Sequence, residues 1–324
     1  MTRLLGRSGL TVSQLGLGCT TFGREIDEAE SFRLMDHAVA HGITLFDTAE
    51  AYGGGQAKAY RRATLGIDDT REVSDELHSS EKIVGRWLRS RGARDRITLV
   101  SKAARGFTVP QVRQALEASL QRLQTDRLDL YLYHSYDPKT PAEEAVQAMA
   151  AVVSAGLTRA GGVSNYSLLH LEEALSLAAG LDPRVLSVIE VPHNLLRPHH
   201  ETVPVAERDN LGVLGYSPLA AGFLSGKYTP DRQAIPKGTR FDVIPGHIDI
   251  YFSEANFRRV ERLHAMAKRE GIPALRLALA WALQDPRVTN LLVGARTQAH
   301  LDNALEAAKL VIPSAWMDEI GSWR

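Results

Sequence analysis

The chain of 324 residues holds a single cysteine, Cys19. No disulfide can form within it, so an oxidising compartment is not implied. Charge of one sign is also missing, with 38 Lys+Arg against 38 Asp+Glu and a net charge of zero. That balance argues against a nucleic-acid partner, because neutralising phosphates takes an excess of cations. It leaves room for a local basic patch around one small phosphate ligand. Long apolar runs are absent too: the charge-free stretches include 145–158 and 210–226. The first falls short of the roughly 20 residues a membrane helix needs. The second carries Gly212, Gly215, Pro218 and Gly222 and reads as strand plus loop. Residues 1–7 lack the apolar core of a secretory signal. These absences predict a cytoplasmic protein with no membrane partner. Internal repeats, low-complexity tracts and linkers are missing as well, so the reading is one domain over 1–324.

Short apolar runs alternate with longer stretches of helical periodicity. Strands are predicted at 15–17, 44–46, 97–101, 128–133, 159–163, 185–190, 212–216 and 289–293. Most are near-continuously apolar, as strands of a parallel sheet buried on both faces should be. A short hairpin pairing 3–5 with 11–12 precedes them. Helices are predicted at 29–41, 109–123, 141–155, 167–179, 254–270, 273–283 and 297–308, several bounded by a stop glycine such as Gly42, Gly156 or Gly271. Eight alternating units in this length fit an α/β protein of the (β/α)8 TIM barrel type, with an N-terminal β-hairpin, better than an open sheet. Two long connections, 53–79 and 225–253, follow strands and would lie on the C-terminal face, where barrels build their sites.

Several motifs fail on inspection. The run from Gly16 to Thr21 begins like a dinucleotide fingerprint but has Thr21 where the third glycine belongs. The run from Gly222 to Lys227 resembles a phosphate loop but is one residue short, and Tyr228 replaces its Ser/Thr. His37 and His41 have zinc-helix spacing, yet Ala38 stands where the base would be. His193, His199 and His200 find no acid or thiol nearby to complete a metal set, so no metal is expected. Asn165-Tyr166-Ser167 is a formal glycosylation sequon with no purpose absent secretion.

Four polar residues remain at or just after successive strand ends: Asp47 and Tyr52, Lys102, and His134. Each alone has an ordinary explanation as a cap, a packed ring, a rim charge or a core histidine. Neighbouring strands of a barrel would bring all four to one rim. Tyrosine titrates near about 10 and is a poor donor at neutral pH. An adjacent ammonium is expected to lower that value, a carboxylate to hold the ammonium, and a histidine to bond the reacting oxygen. Such a set is a proton relay aimed at a carbonyl or alkoxide oxygen. Lys102 could alternatively serve as a Schiff-base amine in a barrel lyase. Cys19, at the same rim, reads as a packed thiol more readily than a redox group.

At these residues the chain resembles the aldo-keto reductases. The segments that carry the resemblance are Phe46-Asp47-Thr48-Ala49-Glu50-Ala51-Tyr52-Gly53, Leu99-Val100-Ser101-Lys102, Leu128-Asp129-Leu130-Tyr131-Leu132-Tyr133-His134, Gly162-Val163-Ser164-Asn165-Tyr166 and the run from Gly215 to Gly222. The resemblance implies a (β/α)8 barrel that binds NADP(H), in preference to NAD(H), and acts on a small-molecule carbonyl or alcohol. It implies Tyr52 as general acid or base, Lys102 and Asp47 as its tuning pair, and His134 as the group orienting the substrate oxygen. Ser164 and Asn165 would hold the nicotinamide amide, and Tyr216 would stack on its ring. Ser217, Leu219, Gly222, Lys227 and Arg240 would line the pyrophosphate. Gly294, Arg296, His300 and Asn303 would hold the adenosine and its 2′-phosphate, with Arg296 as the main cation. The potassium-channel β subunits share this barrel, so a cofactor-binding regulatory subunit is the alternative function.

The chain departs from the family at some positions. Glu190 stands where the family has glutamine, and a carboxylate accepts a hydrogen bond from an amide but cannot donate one. His193-Asn194 replaces Tyr-Asn, and Ala304 stands where an asparagine reads the adenine. The interval from Tyr52 to Lys102 is long, and an insertion is placed at 56–79, where it could wall the substrate pocket. The oligomeric state is left open.

Overall fold

The computed structural model describes residues 2–66, 72–198 and 200–323. A hairpin of β1 (Thr2–Leu4) and β2 (Thr11–Ser13) comes first. Eight parallel strands then close into a barrel: β3 (Leu15–Gly18), β4 (Leu45–Asp47), β5 (Thr98–Ala103), β6 (Leu128–Tyr133), β7 (Thr158–Ser164), β8 (Val188–Pro192), β9 (Gly212–Tyr216) and β10 (Asn290–Gly294). Each strand pairs with the next, and β10 pairs back onto β3. The expected (β/α)8 TIM barrel with its N-terminal hairpin is therefore the fold.

The barrel interior is a packed core. Leu45, Val100, Leu130, Leu132, Ala160, Val188, Leu214 and Leu292 meet inside it, and the hairpin adds Leu5, Leu10 and Val12. Leu5 lies against Gly212 at the start of β9, and Gly6 bridges Leu211, so the hairpin plugs the N-terminal mouth. A Cβ on Gly212 would fall 2.5 Å from the Leu5 side chain. The C-terminal mouth is left for chemistry.

The outer ring holds α1 (Glu28–Ala40), α2 (Gly54–Leu65), α3 (Ser79–Arg91), α4 (Val109–Leu123), α5 (Ala142–Ser154), α6 (Leu168–Leu177) and the short α7 (Val203–Arg208). It continues through two single turns, α8 (Arg240–Val243) and α9 (Ile248–Tyr251), to α10 (Glu254–Glu270), α11 (Ala274–Gln284), α12 (Gln298–Ala307) and α13 (Ser314–Gly321). Caps follow the sequence: Asp27 accepts from Glu30 N at the start of α1, and Ser253 accepts from Asn256 N at the start of α10.

The connection after β4 is more ordered than a loop, because it opens with α2. Arg61 of this helix is buried and forks onto Glu72 at 2.6 and 2.7 Å, while also donating to Val243 O in α8 at 3.1 Å. The two long C-terminal-face connections are thus joined to each other. Gly85 lets α3 approach α4, since a Cβ there would meet Arg122 O at 2.3 Å.

Candidate active site

Register gathers three of the rim residues around the fourth, Lys102. Asp47 ends β4 and pairs with Val100, while Lys102 lies near the end of β5 opposite Leu132. The Lys102 ammonium donates to Asp47 Oδ1 at 2.5 Å, to Thr48 O at 3.1 Å and to the Tyr52 hydroxyl at 3.5 Å. Glu190 Oε2 on β8 is also within 3.4 Å of it. The His134 ring stands edge-on to Tyr52, with centroids 5.4 Å apart.

Burial sets the electrostatics. For Lys102 burial is the largest single effect and lowers its pKa, but Asp47, Glu190 and Tyr52 together outweigh it and hold the ammonium well above its usual value. Burial lifts Tyr52 well above the ordinary phenol value; Lys102 lowers it, while Asp47 and Glu190 add to the rise. The sequence-based expectation of a lowered tyrosine is corrected here. The ammonium acts in the expected direction, but desolvation and two carboxyl groups exceed it. Burial, opposed by Lys102, raises Asp47. Burial and then Asp47 push Glu190 up to about 8. Burial, then the nearby ammonium, press His134 down to about 3, so its ring is neutral.

These side chains stand beside a cavity of about 420 Å³ at the C-terminal mouth. Asp47, Tyr52, His134, Asn165, Glu190 and Tyr216 line it. Ser217, Leu219, Gly222, Lys227 and Arg240 line it as well, as do Gly294, Arg296, His300 and Asn303. Lys102 and Ser164 stand behind this wall and act through neighbours. Asn165 Nδ2 donates to Ser164 Oγ at 3.0 Å and to His134 O at 2.9 Å, and its Oδ1 accepts from the Tyr216 hydroxyl at 2.7 Å. Ser164 Oγ in turn donates to Glu190 O. Tyr216 is therefore held by the residue pair that follows β7.

The backbone is strained along this wall. Asn165, Ser217, Ala220 and Ala221 all have positive φ, between 51° and 57°. Non-glycine residues in that region cost about 1–3 kcal/mol each and concentrate at ligand sites. Asn194 steadies the turn by donating to Ser217 O at 3.0 Å.

The lining also carries the cations Lys227, Arg240 and Arg296. Burial and then Arg296 lower Lys227. Arg296 donates to Gly238 O at 2.8 Å, and its backbone N–H reaches His300 Nδ1 at 3.2 Å. Among the described residues neither Lys227 nor Arg296 is ion-paired to a carboxylate. Arg240 differs, since it pairs with Glu25 at 3.1 Å across the cavity mouth. Asn303 accepts from Arg276 at 3.1 Å. Thr20, Thr21, Glu25 and His247 also line the cavity and were missed. The first three lie just after β3, a signal that strand position offered.

Other sequence candidates lie elsewhere. Cys19 is buried, its thiol raised mainly by that burial, and it does not line the cavity. Among the described residues of 53–79 none lines the cavity, so the connection after β4 buttresses the mouth from outside. His37 bonds Asp302 at 2.7 Å, His193 stacks on Trp281, and His200 bonds Thr202. His199 lies outside the described residues. Lys102 is fully buried and held as an ammonium, which does not suit the Schiff-base role.

A parallel barrel whose C-terminal mouth joins a Tyr–Lys–Asp cluster to a cation-lined groove defines an oxidoreductase class. Residues 14–323 match the aldo/keto reductase family, and the chain belongs to it. It is 32% identical to "Uncharacterized oxidoreductase YrpG" of Bacillus subtilis over 94% of this chain and 90% of that one. It is also 32% identical to "Protein tas" of Escherichia coli, covering 97% and 94%. A "Probable voltage-gated potassium channel subunit beta" of Arabidopsis thaliana is 29% identical over 95% and 90%.

Proposed function

We propose that this oxidoreductase interconverts a carbonyl and an alcohol, using NADP(H) in preference to NAD(H), with Tyr52 as general acid/base. The observation that carries the reading is one continuous cavity. Tyr52, bonded to Lys102, lines it together with Lys227 and Arg296, which have no carboxylate partners among the described residues. Those cations and the strained turn between them fit a dinucleotide phosphate. The bound dinucleotide supplies or accepts the hydride.

The protein's own residues do the rest. The Tyr52 phenol donates its proton to the carbonyl oxygen, and Lys102 stabilises the phenolate left behind. Asp47 holds Lys102 in place. Neutral His134 donates a second hydrogen bond to the same oxygen. Asn165 and Glu190 would hold the nicotinamide amide, with Ser164 positioning Asn165 from behind the wall rather than touching the amide, and Tyr216 would present its ring face. Ser217, Leu219, Gly222, Lys227 and Arg240 hold the pyrophosphate, and Arg240 shares its charge with Glu25. Gly294, Arg296, His300 and Asn303 hold the adenosine end. No helix among the described residues is long and apolar enough to cross a membrane. We place the enzyme in the cytoplasm, as one domain with an insertion after β4.

NADPH and NADH titration followed by a carbonyl panel tests the assignment. Tight NADPH binding without turnover of any carbonyl would favour a regulatory subunit instead. Arg296→Ala is expected to weaken NADPH by about 10- to 100-fold, the worth of a charged hydrogen bond, and to leave NADH nearly unchanged. Equal loss for both would move the phosphate site elsewhere.

A further inference from the structure

Glu190 is the residue that the relay does not require. It is 3% exposed, lines the cavity beside Tyr52, and its Oε2 has no hydrogen-bond partner among the described residues. The charged and titratable groups around it are few. Asp47 faces it from β4, Lys102 from β5, Tyr52 from the turn after β4 and Tyr216 from β9. Behind them, Cys19 feels both Asp47 and Lys102, and His134 feels Lys102. One ammonium thus serves two buried carboxyl groups, and its shorter bond, at 2.5 Å against 3.4 Å, goes to Asp47.

A buried charge without a counter-ion is costly, and the group takes a proton instead. We infer that Glu190 makes the site prefer the oxidised dinucleotide, by giving up a proton and serving as counter-ion when the nicotinamide ring in the pocket is cationic, and by holding that proton when the ring is neutral. The inference rests on the dinucleotide reading above. Burial and Asp47 already push this carboxyl up to about 8, so the proton is present at neutral pH before any ligand arrives. Binding the oxidised form then releases one proton to solvent, and binding the reduced form releases none. During carbonyl reduction one proton passes from Tyr52 to the product oxygen. Lys102, 3.5 Å from Tyr52 and 3.4 Å from Glu190, joins the two, so the proton on Glu190 can restore the phenol as Glu190 becomes the carboxylate.

Calorimetric titration at pH 7 in buffers of different ionisation enthalpy tests this on the intact protein. NADP+ binding is expected to release close to one proton more than NADPH binding, a difference from which ionisation of the shared 2′-phosphate cancels. The Kd ratio should move toward NADP+ by up to about tenfold per pH unit between pH 6 and 8. In Glu190→Gln, an isosteric change, the proton difference and the pH dependence should vanish. NADP+ should weaken while NADPH changes little, a shift of about tenfold or more in their ratio. Equal proton release for the two forms in the native protein, or a difference that persists in Glu190→Gln, overturns the inference while leaving the function intact. Binding of neither dinucleotide overturns the functional reading and the inference together.

Discussion

Tyr52→Phe is expected to lower carbonyl reduction by about 10²- to 10⁴-fold, the usual worth of a positioned proton donor, with NADPH affinity within a factor of two or so of the native value. The phenol ring fills the same space in the variant, so the edge-on contact with His134 survives. What is lost is the hydroxyl bonded by Lys102. Because Tyr52 is raised well above the ordinary phenol value, its proton stays in place throughout the neutral range. The native rate should therefore show no loss of the acid between pH 6 and 9. Steady-state reduction of the best carbonyl, with cofactor titration alongside, checks both statements. Activity retained in the variant would remove Tyr52 from the mechanism.

Much of this site was legible before the fold was seen, for a physical reason. A barrel strand buried on both faces must be apolar until it reaches the mouth, so a charge at a strand's C-terminal end stands out. Asp47 and Lys102 are such residues, each less than 4% exposed; Glu190 sits in the same way on β8, but only the family resemblance singled it out. The same logic found all the barrel strands, and α10 was read over the residues it occupies, 254–270. What escaped was structure fixed by contacts at a distance. The helix α3 carries Gly85 at its centre and begins at His78 in a left-handed conformation without a side-chain cap, so it shows neither a start signal nor good intrinsic propensity. Packing decides it, through Trp87 bonding Asp36 at 2.8 Å and buried Glu81 bonding Ser101 at 2.6 Å. Likewise α2 opens on consecutive glycines and is held by the buried Arg61–Glu72 pair, whose partners are 11 residues apart. The charge of that segment left its place, as pocket wall or solvated insertion, open because sequence does not show which charges pair in the interior. The tyrosine shift failed for a related reason. The sign of one neighbour's effect can be read from its type, but the sum of desolvation and several charges needs the geometry.

Replacing Lys102 with methionine is expected to destabilise the protein by about 3–5 kcal/mol near pH 8, the usual penalty for removing one member of a buried ion pair. The methionine nearly matches the lost volume, so repacking alone should cost less than about 1.5 kcal/mol. The remainder comes from Asp47 and Glu190, left buried without their cation, the only one paired to either among the described residues. Both are already raised by burial with the ammonium present, and its removal raises them further. A carboxyl raised in the folded state contributes stability below its unfolded value of about 4, which is lost as pH rises through its folded value. The variant's deficit should therefore be small at pH 5, where the folded protein accepts the protons, and should grow through pH 8. Urea unfolding of the two proteins at pH 5 and pH 8 measures it. Adding Asp47→Asn and Glu190→Gln to Lys102→Met should restore most of the loss, because neutral groups of the same shape no longer need the ammonium. A deficit that is equal at both pH values and unrelieved in the triple variant would mean that Lys102 stabilises the barrel by packing, and that the two carboxyl groups do not depend on its charge.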